Sequence, residues 1–240
     1  MGFALEAVRK EYQRRGTTVA ALDGVDLTIG TGEFVAVVGP SGCGKSTLLQ
    51  ILGGLLAPTQ GTVRFAGDDL YHQRTVDDRA RVRRSHMGFV FQTFNLVPYL
   101  SALENVQLPM AITGKPEDQQ LSQAKALLER VGLGDRLEHR PGELSIGQQQ
   151  RVALARTLAN DPRVILADEP TGNLDPDTGG AILDMLTAIQ GEGRTVVMVT
   201  HDPKAAERAG RILRLDRGRL IADDRTAGSA ATHASEANLK

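Results

Sequence analysis

The chain has 240 residues, long enough to bury one substantial core, and its 41% apolar and 24% charged residues are ordinary for a globular protein. A formal net charge of −1 gives no bulk electrostatic reason to expect nucleic acid or an anionic membrane as a partner, and the single cysteine, Cys43, excludes an intrachain disulfide. No apolar run approaches the roughly 18 residues that cross a bilayer, and "MGFALEAVRK" has no signal-peptide apolar stretch, features that fit a cytosolic protein.

In chain order, the front reads as short strands. "VDLTI" (25–29) and "EFVAVVG" (33–39) are rich in β-branched residues and separated by the turn signal "GTG". "KSTLLQILGGLL" (45–56) reads as helix and "GTVRF" (61–65) as strand. The arginine run "RARVRR" (79–84) is read as a solvated helix face rather than a nucleic-acid contact. From residue 101 the pattern turns helical: Ser101 followed by Glu104 has the form of a capping box. Segment 116–133 places Leu121, Ala124, Leu127, Leu128 and Val131 on one face, and 147–160 forms a third helix stopped by Asp161-Pro162.

Strand–helix alternation then resumes through "RVILAD", "TGGAILDMLTAIQ", "RTVVMVTHD", "PKAAERA", "RILRLD" and "GRLIAD". The expected fold is α/β: a mainly parallel core, an antiparallel β portion at the front, and an α-helical insertion over about residues 93–160. One domain is expected over 1–224, with 225–240, small and aperiodic, as a disordered tail.

"GPSGCGKST" (39–47) fits G-x-x-x-x-G-K-[ST] between a predicted strand and a predicted helix, the context a phosphate loop requires. Gly39, Gly42 and Gly44 let the backbone curl with its N–H groups inward, and Pro40, Ser41, Cys43 and Thr47 complete the cradle. Lys45 is expected on the β- and γ-phosphates and the Ser46 hydroxyl on Mg²⁺. At Cys43 the position needs only a small side chain, although a bulky thiol reagent is expected to inhibit, with ATP protecting. In "RVILADEPTGNLD" (163–175) a strand ends in two carboxylates; Asp168 suits Mg²⁺ and Glu169 suits orienting or deprotonating the attacking water.

"LSIGQQQRVALAR", followed closely by "ILADEPTGNLD", resembles the signature segment and acidic strand of ATP-binding cassette (ABC) ATPases. The resemblance runs from about residue 3 to residue 222 and includes Tyr12, Gln92 in "FVFQTFNLVP", Asp175 after "GNL" and His201 in "VTHD". It implies a phosphate-loop NTPase core and an ATP-dependent homodimer in which each ATP is sandwiched between one chain's phosphate loop and the other's signature. Ser145, Gly147 and Gln148 would grip the partner's nucleotide, and Asp175 would cross the interface. A serine hydroxyl, free backbone N–H groups and a helix N-terminus together make an anion site. Ile146 departs from the usual Leu-Ser-Gly-Gly-Gln; the simpler inference is an ordinary backbone conformation there. By motif match Tyr12 would stack on adenine, or else merely pack. Gln92 would sense Mg²⁺ or the attacking water, and His201 would hydrogen-bond the γ-phosphate.

Within these ATPases, "GFVFQTFNLVPYLSALENVQLPM", "HRPGELS" and "ADEPTGNLD" most resemble the lipoprotein-release, macrolide-efflux and cell-division subgroup. That implies a separate transmembrane permease, docked around residues 92–110, and peripheral attachment to the cytoplasmic face of the cell membrane; the apolar residues of "FNLVPYL" either receive a coupling helix or form core. A soluble cassette acting in DNA repair or translation is the alternative. It is disfavoured because those commonly carry tandem cassettes, zinc modules or long coiled coils, whereas this chain has one cassette and one cysteine. A small-molecule kinase would leave the signature, Glu169 and His201 without purpose.

Overall fold

Two sheets of different construction carry the chain in a computed structural model that describes residues 1–14 and 16–225. The first is antiparallel: β1 (Phe3–Arg14) and β2 (Thr17–Ile29) form a long hairpin, and β4 (Gln60–Phe65) and β5 (Asp68–Asp69) extend it in the order β2-β1-β4-β5. Val25, Leu27 and Ile29 point inward while Asp26 and Thr28 face solvent, the period of two expected of a strand covered on one side. Tyr12, expected ahead of the first strands, lies within β1 opposite Val19. The register of β1 shifts at three places between Leu5 and Glu11, and these irregularities hide its alternation in the sequence.

The second sheet has the order β10-β9-β3-β8-β7-β6. Its parallel members are β3 (Phe34–Val38), β6 (Met87–Phe91), β7 (Val164–Asp168), β8 (Thr195–Val199) and β9 (Arg211–Asp216); β10 (Arg219–Arg225) is antiparallel to β9. All five residues of β8 are buried, as in a strand covered by helices on both faces. The carboxyl ends of β3, β7 and β8 lie side by side, where open parallel sheets place their ligands.

The helices are α1 (Lys45–Leu52), α2 (Val76–His86), α3 (Ala102–Ile112), α4 (Glu117–Arg130), α5 (Ile146–Leu158), α6 (Pro176–Gly191) and α7 (Pro203–Ala206). The expected capping box opens α3: the Ser101 hydroxyl accepts from the Glu104 N–H, and the Glu104 carboxylate accepts from the Ser101 N–H at 2.7 Å. α3, α4 and α5 share a core of their own, including Val106, Met110, Ala124, Leu128 and Val152. On α4 that cluster begins at Ala124; Leu121, expected on the same face, is exposed and lies outside the cluster. The arginine run lies on α2, which buries no residue fully, but it is not purely solvated. Arg83 donates to the Gly54 carbonyl at 2.8 Å and the Arg79 guanidinium sits over the Tyr71 ring. Of the expected tail, Arg225 ends β10 and the remainder lies outside the described residues.

Candidate functional site

The loop after β3 folds tightly because glycine occupies its two most crowded positions. At Gly39 (φ 154°) a β-carbon would sit 2.1 Å from the Leu215 carbonyl oxygen, and at Gly44 (φ 110°) 2.2 Å from that of Ala21. Gly44 leads directly into α1, so the N–H groups of Lys45, Ser46 and Thr47 have no acceptor among the described residues and point out at a helix N-terminus. The buried Lys45 side chain turns back beneath the loop and donates to the Gly39 and Pro40 carbonyls at 2.8 and 3.1 Å. Ser41 and Gly42 form the exposed crest, and the Thr47 side chain is half-buried. The Cys43 thiol, by contrast, is only 4% exposed and packs into the core with Leu22, Leu48 and Leu215. A small inward-facing side chain is what that place accepts.

Opposite the loop, β7 ends at Asp168. The Ser46 hydroxyl donates to Asp168 Oδ1 at 3.2 Å, which brings together two of the three expected metal-site residues. Burial pushes the Asp168 carboxyl above the ordinary carboxylate range; the Ser46 hydrogen bond and the Lys45 charge oppose that, while Glu169 adds to it. A hydroxyl and a strained-to-ionise carboxylate side by side form a hard-oxygen donor pair that fits Mg²⁺ beside phosphate oxygens.

Glu169 has φ 48°, the left-handed region that a residue with a β-carbon rarely adopts. Its N–H donates to the Val199 carbonyl at 2.9 Å, and its own carbonyl accepts from Gly172 at 3.1 Å. This turn brings the carboxylate Oε2 within 2.9 Å of His201 Nδ1, just beyond β8. Glu169 and His201 are therefore direct partners, an arrangement that sequence reading did not anticipate.

Gln92 follows β6 and is tied to Asn173: its carbonyl accepts from Asn173 Nδ2 at 3.0 Å and its amide approaches Asn173 Oδ1 at 3.4 Å. No hydrogen bond joins Gln92 to Ser46 or Asp168 among the described residues. Beyond Gln92 the loop is held in an irregular shape. Phe94 and Asn95 have left-handed backbones (φ 58° and 51°), and their carbonyls accept from Arg156 of α5. The fully buried Asn105 bonds both backbone groups of Val97 and the carbonyls of Leu100 and Ser101. The clamped loop leaves Tyr99 83% exposed.

The second expected grip lies at the start of α5. Ser145 caps that helix, its hydroxyl accepting from the Gln148 N–H at 3.2 Å while Gln148 Oε1 accepts from the Ser145 N–H at 2.9 Å. The N–H groups of Ile146 and Gly147 have no acceptor among the described residues. Ile146 has an ordinary negative φ and is half-exposed, as the simpler inference required. Gly147 has a packing reason too: a β-carbon there would lie 2.4 Å from Thr178 Cγ2 on α6. Asp175 caps α6 by accepting from the Thr178 N–H at 3.0 Å, and that hydrogen bond holds its carboxyl below the usual range. Among the described residues, no hydrogen bond joins Ser145, Gly147, Gln148 or Asp175 to the phosphate loop of its own chain.

Tyr12 presents a ring that is 42% exposed, with the Lys10 ammonium 5.4 Å from its centroid. A separate cleft of about 600 Å³ reaches Gly39, Pro40 and His201 but lies mainly between α7 and β9–β10, and its lining omits Lys45, Ser46, Asp168 and Glu169. Asn173, two residues before Asp175 in "TGNLD", has no motif signal of its own in the sequence and is identified only by its contact with Gln92.

A family model described as ABC transporter matches residues 22–172. An uncharacterized ABC transporter ATP-binding protein of Thermotoga maritima is 52% identical over 214 residues, covering 89% of this chain and 91% of its own. The macrolide export ATP-binding/permease protein MacB 1/2 of Paracoccus denitrificans is 49% identical over 227 residues, 95% of this chain. This chain spans about a third (34%) of that relative's length. Among solved structures, the dimeric post-hydrolysis state of the ATP-binding cassette MJ0796 bound to ADP and Pi superimposes with a TM-score of 0.86 at 41% identity, over 93% of this chain and 98% of that one.

Proposed function

The chain belongs to the ABC transporter family, and from that premise we propose that it is the ATP-hydrolysing nucleotide-binding subunit of a transporter, driving a membrane permease by ATP-dependent dimerisation. Phosphates rest on residues 39–47, with Lys45 on the β- and γ-groups and Tyr12 against adenine. Ser46, Asp168 and Gln92 hold Mg²⁺, which when bound neutralises phosphate charge. Glu169 orients or deprotonates the attacking water, and His201 contacts the γ-phosphate. Ser145, Gly147 and Gln148 of a second copy close over that phosphate, and Asp175 crosses between copies.

The observation that carries this reading is the convergence at three neighbouring strand ends: Ser46 against Asp168 at 3.2 Å, and Glu169 against His201 at 2.9 Å. The free N–H groups of Ile146 and Gly147 support a grip in trans, since none of the described residues of their own chain accepts from them. The dimeric relative holding ADP and phosphate supports the two-copy arrangement.

Among the described residues no helix is long and apolar enough to cross a membrane. Attachment to the cytoplasmic face of the cell membrane therefore runs through the permease, with the clamped loop bearing Tyr99 as the contact. Export, lipoprotein release or mechanical coupling across the membrane is the work this subgroup resemblance favours. Phosphate release from MgATP without any acceptor, joined to capture of a membrane-spanning protein from solubilised membranes, tests it. Normal hydrolysis with no such partner would favour the soluble alternative in DNA repair or translation.

A further inference from the structure

Gln150 is fully buried on α5, five residues past the Ser145 cap. Its Nε2 donates to the Pro170 carbonyl at 2.6 Å, whereas its Oε1 has no hydrogen-bond partner among the described residues. An amide buried with an unmet acceptor is costly, and an apolar side chain of similar shape would avoid that cost. What the amide does here is reach the one carbonyl that immediately follows Glu169.

Glu169 needs such support. Its φ of 48° is unfavourable for a residue with a β-carbon and persists only where the surroundings over-determine it. Two backbone bonds hold the turn from the inside, Glu169 N–H to Val199 and Gly172 N–H to the Glu169 carbonyl. The third comes from a different element, α5, through Gln150.

We infer that Gln150 is a positioning residue for Glu169. Its amide fixes the Pro170 carbonyl, and thereby the left-handed backbone that aims the Glu169 carboxylate at its work. The helix whose N-terminus grips the partner's nucleotide and the carboxylate acting on the chain's own nucleotide are thus fastened by one hydrogen bond. The inference rests on the proposed role of Glu169 and deepens it.

The test is a cycle of Gln150→Leu, Glu169→Gln and the double variant, followed by hydrolysis rate, KM for ATP and ATP-driven dimerisation. Gln150→Leu is expected to lower kcat about tenfold, the scale of one lost hydrogen bond, with KM within about twofold. The double variant is expected to dimerise with ATP and to hydrolyse no more slowly than Glu169→Gln alone, because a carboxylate already absent cannot be misaimed. A kcat for Gln150→Leu within about twofold of wild type would overturn the inference, as would a further tenfold slowing in the double variant. Dimerisation by the double variant verifies that leucine leaves the fold intact; should leucine not fold, Gln150→Asn, too short to reach Pro170, carries the same expectation. Undiminished hydrolysis by Glu169→Gln itself would instead remove the base assignment, a separate failure.

Discussion

His201 Nδ1 lies 2.9 Å from Glu169 Oε2, and the two residues extend from the ends of neighbouring strands β8 and β7. An imidazole bonded to that carboxylate through Nδ1–H has only Nε2 left for a phosphate. It can donate there only when both nitrogens carry protons. The ring thus either steers the carboxylate or, doubly protonated, bridges it to phosphate. His201→Ala is expected to lower kcat by about 10²-fold while ATP affinity stays within about threefold, the pattern of a contact made in the transition state. Equilibrium nucleotide binding beside steady-state hydrolysis checks it; an unchanged kcat would dissociate His201 from the reaction.

Asp168 carries a stability prediction. Its carboxyl is raised by burial, so folding favours the protonated form: that contribution is complete below the unfolded-state value and is lost as pH rises through the folded one. At neutral pH the ionised side chain is held at a cost. Asp168→Asn should therefore raise the melting temperature of the nucleotide-free protein at pH 7. The gain should shrink as pH falls toward about 4, the range of a free Asp. The same substitution should abolish Mg²⁺-dependent ATP hydrolysis. Thermal denaturation across pH decides the matter, and a melting temperature lowered equally at every pH would contradict it.

At the start of α5, Gly147→Ala keeps the backbone N–H but places a methyl 2.4 Å from Thr178 Cγ2. Activity is expected to fall about tenfold or more through displacement of the helix, in the range that overpacking costs. Thr178→Ser, which removes that methyl, should restore most of it. Failure of the rescue would move the explanation from packing to the phosphate grip itself. Ile146→Gly, at an exposed position with ordinary backbone, should leave activity within about threefold, surface changes of this kind being small.

The Cys43 thiol sits inside the core beneath the phosphate loop. Labelling by a bulky thiol reagent therefore requires the loop to open, and ATP, by holding the loop, should slow it. Inhibition should follow labelling and disappear in Cys43→Ser. Rapid labelling indifferent to ATP would contradict the buried placement.

Much of this site was legible because its residues come in patterned sets. "GPSGCGKST" needs its glycines for reasons of space, and Gly39 and Gly44 each face a carbonyl too close for any side chain. The apolar runs before Gly39, Asp168 and His201 announced parallel strands whose ends would meet. What stayed hidden depends on tertiary neighbours. Gln150 ends a run of three glutamines and Asn173 stands alone; neither carries a periodic signal, and their meaning comes from carbonyls 20 and 81 positions away. The Thr178 methyl against Gly147 is equally invisible along the chain. β1 escaped a clear reading because its register shifts break the alternation by which a strand is recognised.

The most direct test of nucleotide held between two copies is the mass of Glu169→Gln in solution with saturating MgATP. The account predicts a species of twice the 25.8 kDa chain mass that reverts to monomer when Ser145→Arg is added, with ATP binding to the single chain retained. A Glu169→Gln protein that binds ATP yet remains monomeric, or one whose dimer is indifferent to Ser145→Arg, would contradict it.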